Sequence, residues 1–341
     1  MRDLSSNSPV RVSFSELVDL ASEIFGAKVI EASDDFFSPK EDLLKAEPAV
    51  FIADKYTENG KWMDGWESRR KREKGFDWLT LKLGLAGEIH GVNVDTSFFT
   101  GNFPEYVSIE GIEMPSNDSE QDLEGIKWVD LLEKAPVHGG SQNYFAISSR
   151  QRVTHLRLNI FPDGGVARLR VHGVVRPSAE QLKGTIDLAA IEKGARVVCA
   201  SNVYFSPKDN LIVPGTARHM GEGWETQRRR GPGHDWIIVK LAGKARIRKI
   251  EVDTHHFKGN FPDTCSVDGL LGAENLLPCD FRDNETLSWL PLVERSQLKA
   301  HSKKEFSLTP KTPSEAYNYL RLNIFPDGGV SRLRVLGELV V

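Results

Sequence analysis

Cysteine is scarce in this chain. The three present, Cys199, Cys265 and Cys279, form no CxxC pair and leave one thiol over. That argues for reduced thiols in a cytosolic compartment and against a disulfide frame or a cysteine-held zinc. Long apolar runs are missing as well. Nothing approaches the ~18 residues of a membrane span, and the N-terminal MRDLSSNSPVRVSF lacks the apolar core of a signal peptide. The closing ELVV is not a targeting address. There is no excess of positive charge: the formal net charge is −4, so no basic field points to nucleic acid or an anionic membrane. P-loop, GxSxG, HExxH and GxGxxG-plus-acid patterns are also absent, which removes support for those mechanisms. What remains is 40% hydrophobic and 27% charged, the balance of a soluble intracellular protein, and 341 residues call for two domains.

The chain is rich in self-similarity. RLNIFPDGGV occurs at 157–166 and, letter for letter, at 321–330. GAKVIEASDDFFSPK (26–40) matches GARVVCASNVYFSPK (194–208), DGWESRRKREKGFDW (64–78) matches EGWETQRRRGPGHDW (222–236), and VDTSFFTGNFP (94–104) matches VDTHHFKGNFP (252–262). The offsets are 168, 158, 158 and 164 residues, so the copies differ in loop length, which chains tolerate at small entropic cost. A period this long is a domain duplication, since solenoid repeats run to about 20–50 residues.

Each copy reads as β. In DWLTLKLG (77–84) and DWIIVKLA (235–242) apolar residues alternate with period two, as in a half-buried strand. LRLNI and VARLRV alternate likewise, and FPDGG between them supplies turn residues, so the repeated segment is expected to be a β-hairpin. The exception is FSELVDLASEIFG (14–26), where Leu17, Leu20 and Ile24 at helical spacing predict a short lead-in helix. The expected architecture is all-β, one sandwich per copy. Its boundaries are an N-terminal lead-in over 1–22, a first repeat over 23–176, a linker over 177–191 and a second repeat over 192–341.

Three segments could carry chemistry. In the decapeptide, Arg157, Arg321, Asn159 and Asn323 are read as structural, with each Arg pairing to an acid across the sheet. EGWETQRRR puts Arg228, Arg229 and Arg230 beside Glu222 and Glu225. A guanidinium fork suits a carboxylate or a urea-like oxygen, and a buried glutamate can become a general acid. The first copy keeps Asp64, Glu67, Arg69, Arg70 and Arg72; a solvated charged loop is the plainer reading of both. In DTHHFKGNFP, Asp253 precedes His255 and His256, and Asn260 follows in a turn. Imidazole titrates near neutrality, so proton transfer or metal ligation is open to this pair. The first copy has Asp95 and Asn102 but Ser97 and Phe98 in place of the histidines, so such chemistry belongs to the second repeat alone. His234, where the first copy has Phe76, is read as structural.

The order and spacing of these motifs over nearly the whole chain resemble the allantoicase family: GxxVIxASxxFFSPxxxLL, a GWExxRRR-like loop before a DW strand, VDTxxFxGNFP and LRLNIFPDGGVxRLRVxG. The resemblance implies two tandem jelly-roll sandwiches of the galactose-binding type, in a cytoplasmic hydrolase of purine (ureide) catabolism. Its reaction converts allantoate and water to ureidoglycolate and urea. The substrate's carboxylate suits Arg228 or Arg229, or their counterparts Arg70 and Lys71. Glu225, Asp253, His255 and His256 are the acid–base candidates, and Asn260, Glu67, Asp95 and Asn102 the polar contacts. No cofactor is evident; a divalent metal, and with it a metal hydroxide as nucleophile, is the alternative. A small-molecule substrate and homo-oligomerisation are expected, without nucleic acid or membrane partners. The competing reading is a tandem carbohydrate-binding module with Trp66, Trp224, Trp128 and Trp289 as stacking platforms.

Overall fold

The computed structural model describes residues 13–114, 125–273, 276–282, 287–309 and 315–340. They form two compact units, residues 1–176 and 177–341, each nearly all β. In the first, one strand of 19 residues, Asp77–Asp95, serves two layers. Its opening half pairs with Lys28–Ala32 on one side and Arg152–Phe161 on the other. Tyr106–Ile112 and Val129–Pro136 extend that layer to five strands. Its closing half pairs with Arg168–Val175 and Gln142–Ala146, and Val18–Asp19 completes a four-stranded layer.

The switch between layers follows from side-chain size. Pairing to Arg152–Phe161 jumps from Lys82 to Gly87, and a Cβ on Gly87 would sit 2.3 Å from the Val174 carbonyl oxygen. In the first unit the corner is packed too closely for a side chain, and in the second the small Ala245 stands at the equivalent place after the jump from Lys240. Leu79, Leu81, Leu83 and Leu85 face inward before the corner, Val92 and Val94 after it, and all are buried. The second unit repeats the plan around Asp235–Asp253, with Arg196–Ala200, Tyr317–Phe325, Thr264–Leu270 and Leu290–Gln297 in one layer. Arg332–Leu339, Lys303–Ser307 and Ile186–Asp187 form the other. This is the jelly-roll sandwich expected from the sequence, twice.

Two local expectations are corrected. The decapeptide is not a hairpin. Arg152–Phe161 and Arg168–Val175 lie in different layers and each pairs with the long strand, so FPDGG is a crossover between layers. Turn residues announce a reversal, but core burial chooses the partner. Residues 14–26 do not form a helix either. They comprise 3-10 turns at Ser13–Glu16 and Glu23–Phe25 around the edge strand Val18–Asp19. The Asp19 carboxylate accepts the Val171 and Ala21 N–H groups, tying the segment to the sheet. In the second unit Ile186–Asp187 plays the same part, and Asp187 accepts Val335 and Ala189.

Candidate functional site

The repeated decapeptide works as a clamp. Gly165–Val166 pairs with Trp66–Glu67, and Gly329–Val330 with Trp224–Glu225. The Gly165 N–H donates to the Asn102 carbonyl at 2.7 Å, and Gly329 to Asn260 at 2.8 Å. A Cβ on either glycine would lie 2.0 Å from the ring of Phe99 or Phe257, so neither position admits a side chain. Asp163 and Asp327 accept the N–H groups of Lys71 and Arg229. One short segment thus fixes the tryptophan loop and the GNFP loop side by side, which both units need.

That clamp brings together two groups that lie 35 residues apart in sequence. Asn102 Nδ2 donates to Glu67 Oε1 at 2.6 Å, and Asn260 Nδ2 donates to Glu225 Oε1. Glu225 is buried and Glu67 half-buried. Burial pushes the Glu67 carboxyl above the ordinary range, against the opposing pull of the Asn102 bond.

The neighbouring loop differs between units. Asp253 is 2% exposed, and its Oδ1 lies 2.6 Å from His255 Nδ1 while also accepting the His255 N–H at 2.8 Å. Since the carboxylate only accepts, Nδ1 carries the proton and Nε2 is left with its lone pair. His256 takes a left-handed φ of 70°, with Nε2 2.9 Å from the Ala217 carbonyl. Its backbone N–H donates to His301 Nδ1 at 2.8 Å, and the His301 ring centre is 4.7 Å from that of His255. Ser331 N–H bonds the Asp253 carbonyl and Ser331 Oγ the His255 carbonyl. Glu225 and His255 are therefore tethered two residues apart on one extended segment, about 7 Å along it. In the first unit Asp95 accepts the Ser97 N–H, and Phe98 stacks on Phe51, so no imidazole faces Glu67 from this loop.

The arginines separate. Arg229 Nη2 lies 2.5 Å from the buried Asp235 carboxylate, and Lys71 holds Asp77 in the same way at 2.7 Å. Arg228 and Arg70 are exposed and have no side-chain partner among the described residues. The reading of Arg157 and Arg321 as cross-sheet partners of acids agrees with Glu110 at 3.8 Å and Asp268 at 2.8 Å. Asn159 and Asn323 donate to the same two carboxylates, and His234 Nε2 meets Asn323 Oδ1. The stacking platforms are not there. Trp66 and Trp224 are fully buried, their Nε1–H groups donating to the Asp34 and Asn202 carbonyls, while Trp128 and Trp289 lie against Arg157 and Arg321.

Sequence reasoning missed His301. It occupies the place of Gly140: each backbone N–H donates to the carbonyl of the phenylalanine in the adjacent loop, Phe257 or Phe99. The surrounding stretches, HGGSQ and KAHSK, share only a serine and are too unlike to be matched by eye. No group of three or more His, Cys, Asp or Glu among the described residues is disposed to hold a metal ion, and no helix among them is long and apolar enough to cross a membrane.

A family model for the allantoicase repeat matches residues 18–176 and 186–340. A probable allantoicase of Photobacterium profundum is 45% identical over 332 residues, covering 96% of this chain and 98% of that one. A probable allantoicase 1 of Burkholderia mallei is 46% identical over 334 residues, 94% of each. The crystal structure of allantoicase from Saccharomyces cerevisiae superposes with a TM-score of 0.79 at 34% identity, covering 95% of this chain and 94% of that one.

Proposed function

The chain belongs to the allantoicase family, and from that premise we propose that its hydrolysis of allantoate to ureidoglycolate and urea is carried out by the Glu225–Asn260 and Asp253–His255 pairs of the second unit. The observation that supports the assignment is the His255 imidazole, held through Nδ1 by a buried aspartate so that Nε2 is not part of that bond.

Allantoate has one carbon bearing a carboxylate, a hydrogen and two ureido groups. Arg228, an exposed guanidinium of the tryptophan loop with no side-chain partner among the described residues, receives the carboxylate. Arg229 instead fixes that loop through Asp235. Glu225, oriented by Asn260, acts as the general acid and gives a proton to the departing ureido nitrogen. As that C–N bond breaks, the lone pair of the remaining ureido nitrogen forms a C=N bond, giving an acyl-iminium-like centre, and urea leaves. Water adds to the carbon while His255 Nε2 takes its proton, and His256, anchored through Nε2 on the Ala217 carbonyl, leaves Nδ1 as an acceptor for the substrate's ureido N–H. The proton count closes when His255 returns its proton to Glu225 by way of solvent. In the first unit Glu67, Asn102, Asp95 and Arg70 supply binding contacts without the imidazoles. A cytoplasmic homo-oligomer is part of the same reading, to be tested by fractionation and light scattering.

The test is urea release from allantoate by Glu225→Gln, His255→Ala and His256→Ala, with and without chelator. General acid–base groups contribute about 10²–10⁴-fold, so Glu225→Gln and His255→Ala should fall by that order. Undiminished turnover in all three would remove the assignment. Loss on chelation, restored by one divalent ion, would transfer the water activation to a metal.

A further inference from the structure

We infer that His301 is a positioning residue for this reaction: its neutral imidazole, accepting the His256 backbone N–H, holds the His255–His256 loop in working order and ties that order to pH. The inference rests on the reading of His255 as the base.

His301 sits at φ 48°, where the first unit has Gly140 at φ 62°. A left-handed conformation costs a non-glycine residue about 1–2 kcal/mol, and glycine fits the same turn without that cost. The turn itself therefore does not call for histidine. What the imidazole adds is an acceptor, Nδ1 at 2.8 Å from the His256 nitrogen, and a ring face 4.7 Å from His255. His256 is itself left-handed at 70°, in the turn after the long strand, and the His301 ring is the partner its N–H finds there. The three histidines occur together: Ser97, Phe98 and Gly140 stand at their places in the first unit. Metal ligation does not explain the set: no group of three or more His, Cys, Asp or Glu among the described residues is disposed to hold a metal ion, and His301, accepting at Nδ1, keeps its proton on Nε2.

An imidazole that accepts at Nδ1 carries its one proton on Nε2. Protonation at Nδ1 turns the acceptor into a donor facing an N–H group and breaks the bond. The groups facing His301 are His255, His256, Lys258 and Asp253, with Lys303 3.8 Å behind Asp253. Desolvation first, then the charges of His255, Lys258 and His256, hold its titration below the ordinary imidazole range, and Asp253 opposes them only in part. The bond is intact at neutral pH and is lost on acidification.

Two substitutions separate positioning from mere packing. His301→Gly removes the acceptor and relieves the backbone, so its melting temperature should equal or exceed that of the wild type while kcat falls about tenfold to a hundredfold. His301→Asn tolerates the left-handed turn, and its Oδ1 can accept the same N–H without titrating. It should keep kcat within about twofold at pH 8 and move the acid limb of the kcat profile to lower pH. Wild-type kcat and pH profile in His301→Gly, or equal damage in both variants, overturns the inference. His255→Ala run alongside distinguishes the failures: inactive His255→Ala with active His301→Gly sinks this inference alone, whereas active His255→Ala sinks the base assignment.

Discussion

Asp64→Asn should destabilise the protein without touching its chemistry. In the first unit Arg168 is 1% exposed, and its Nη2 lies 2.8 Å from Asp64 Oδ2. The rest of the guanidinium donates to the carbonyls of Glu47, Asp64 and Ala167. The equivalent Arg332 in the second unit is caged by four carbonyls, those of Gly215, Asn210, Glu222 and Ser331, with no carboxylate in ion-pair range among the described residues. Burial accordingly lowers its guanidinium to about 10. At about 1.4 kcal/mol per tenfold change in acidity, a fall from the ordinary 12.5 to about 10 corresponds to roughly 3 kcal/mol. An Arg168 stranded in its own carbonyl cage would carry a burden of that order, which meets the lower end of the ~3–5 kcal/mol typical for stranding one partner of a buried pair. For a domain of this size it amounts to a fall in melting temperature of roughly 6–12 °C, measurable by circular dichroism at pH 8. Burial raises the Asp64 carboxyl, but bonds from Arg168 and the Val50 N–H outweigh it and hold the group below its ordinary range. A depressed carboxylate stabilises fully above its unfolded value of about 4 and loses that contribution as pH falls through its folded value, so the deficit of Asp64→Asn should shrink only in acid. A variant melting within about 1 °C of wild type at pH 8 would show that the carbonyl cage alone suffices.

The arginine assignments predict a split. Arg228→Ala should raise KM about tenfold or more at unchanged melting temperature, whereas Arg229→Ala should lower the melting temperature by leaving Asp235 unpaired; the opposite pattern would exchange their roles. Cys199 and Cys265 are buried, with burial pushing the Cys265 thiol up to about 11, and Cys279 is exposed. A thiol-specific chromogenic reagent should therefore label one group quickly in the native protein and three after denaturation; two fast thiols would contradict the packing.

The duplication, the β class and the long strands could be read directly from sequence, because period-two burial of Leu79, Leu81 and Leu83 is imposed by the pleat itself. Pairing could not. LRLNI and RLRV look like the arms of a hairpin because they are adjacent and alternate, yet each meets the long strand in a different layer, a choice made by residues some 75 positions away. The lead-in helix failed for a related reason: Leu17, Leu20 and Ile24 are helically spaced, but Asp19 gains the sheet N–H of Val171 and the turn N–H of Ala21 as an edge cap. Of the candidate site, Glu225 with Asn260 and Asp253 with His255 were legible as types near one another in motif order. That Arg229 is consumed by Asp235 was hidden, since charge runs do not disclose their partners.

The two units carry different side chains on one scaffold. The backbone at 98 and 256 has the same φ of 70°, and 140 and 301 both turn left-handed at 62° and 48°. Thr96 and Thr254 brace both loops through matched pairs of carbonyls, His138 and Ser141 in one, Lys299 and Ser302 in the other. Fixed turns of this kind let side chains be exchanged freely, because the loop's hydrogen bonds are made by its main chain and its threonine. The second unit uses that freedom for three imidazoles, and the first for a phenylalanine stacked on Phe51. The Glu–Asn pair stays in both because the glycine clamp, which admits no side chain, leaves Asn102 and Asn260 only one place to be. Site and scaffold thus differ between the units for a local reason: at the clamp, where packing on Phe99 and Phe257 forbids a Cβ, the two repeats match, and where the turn is braced from behind they differ.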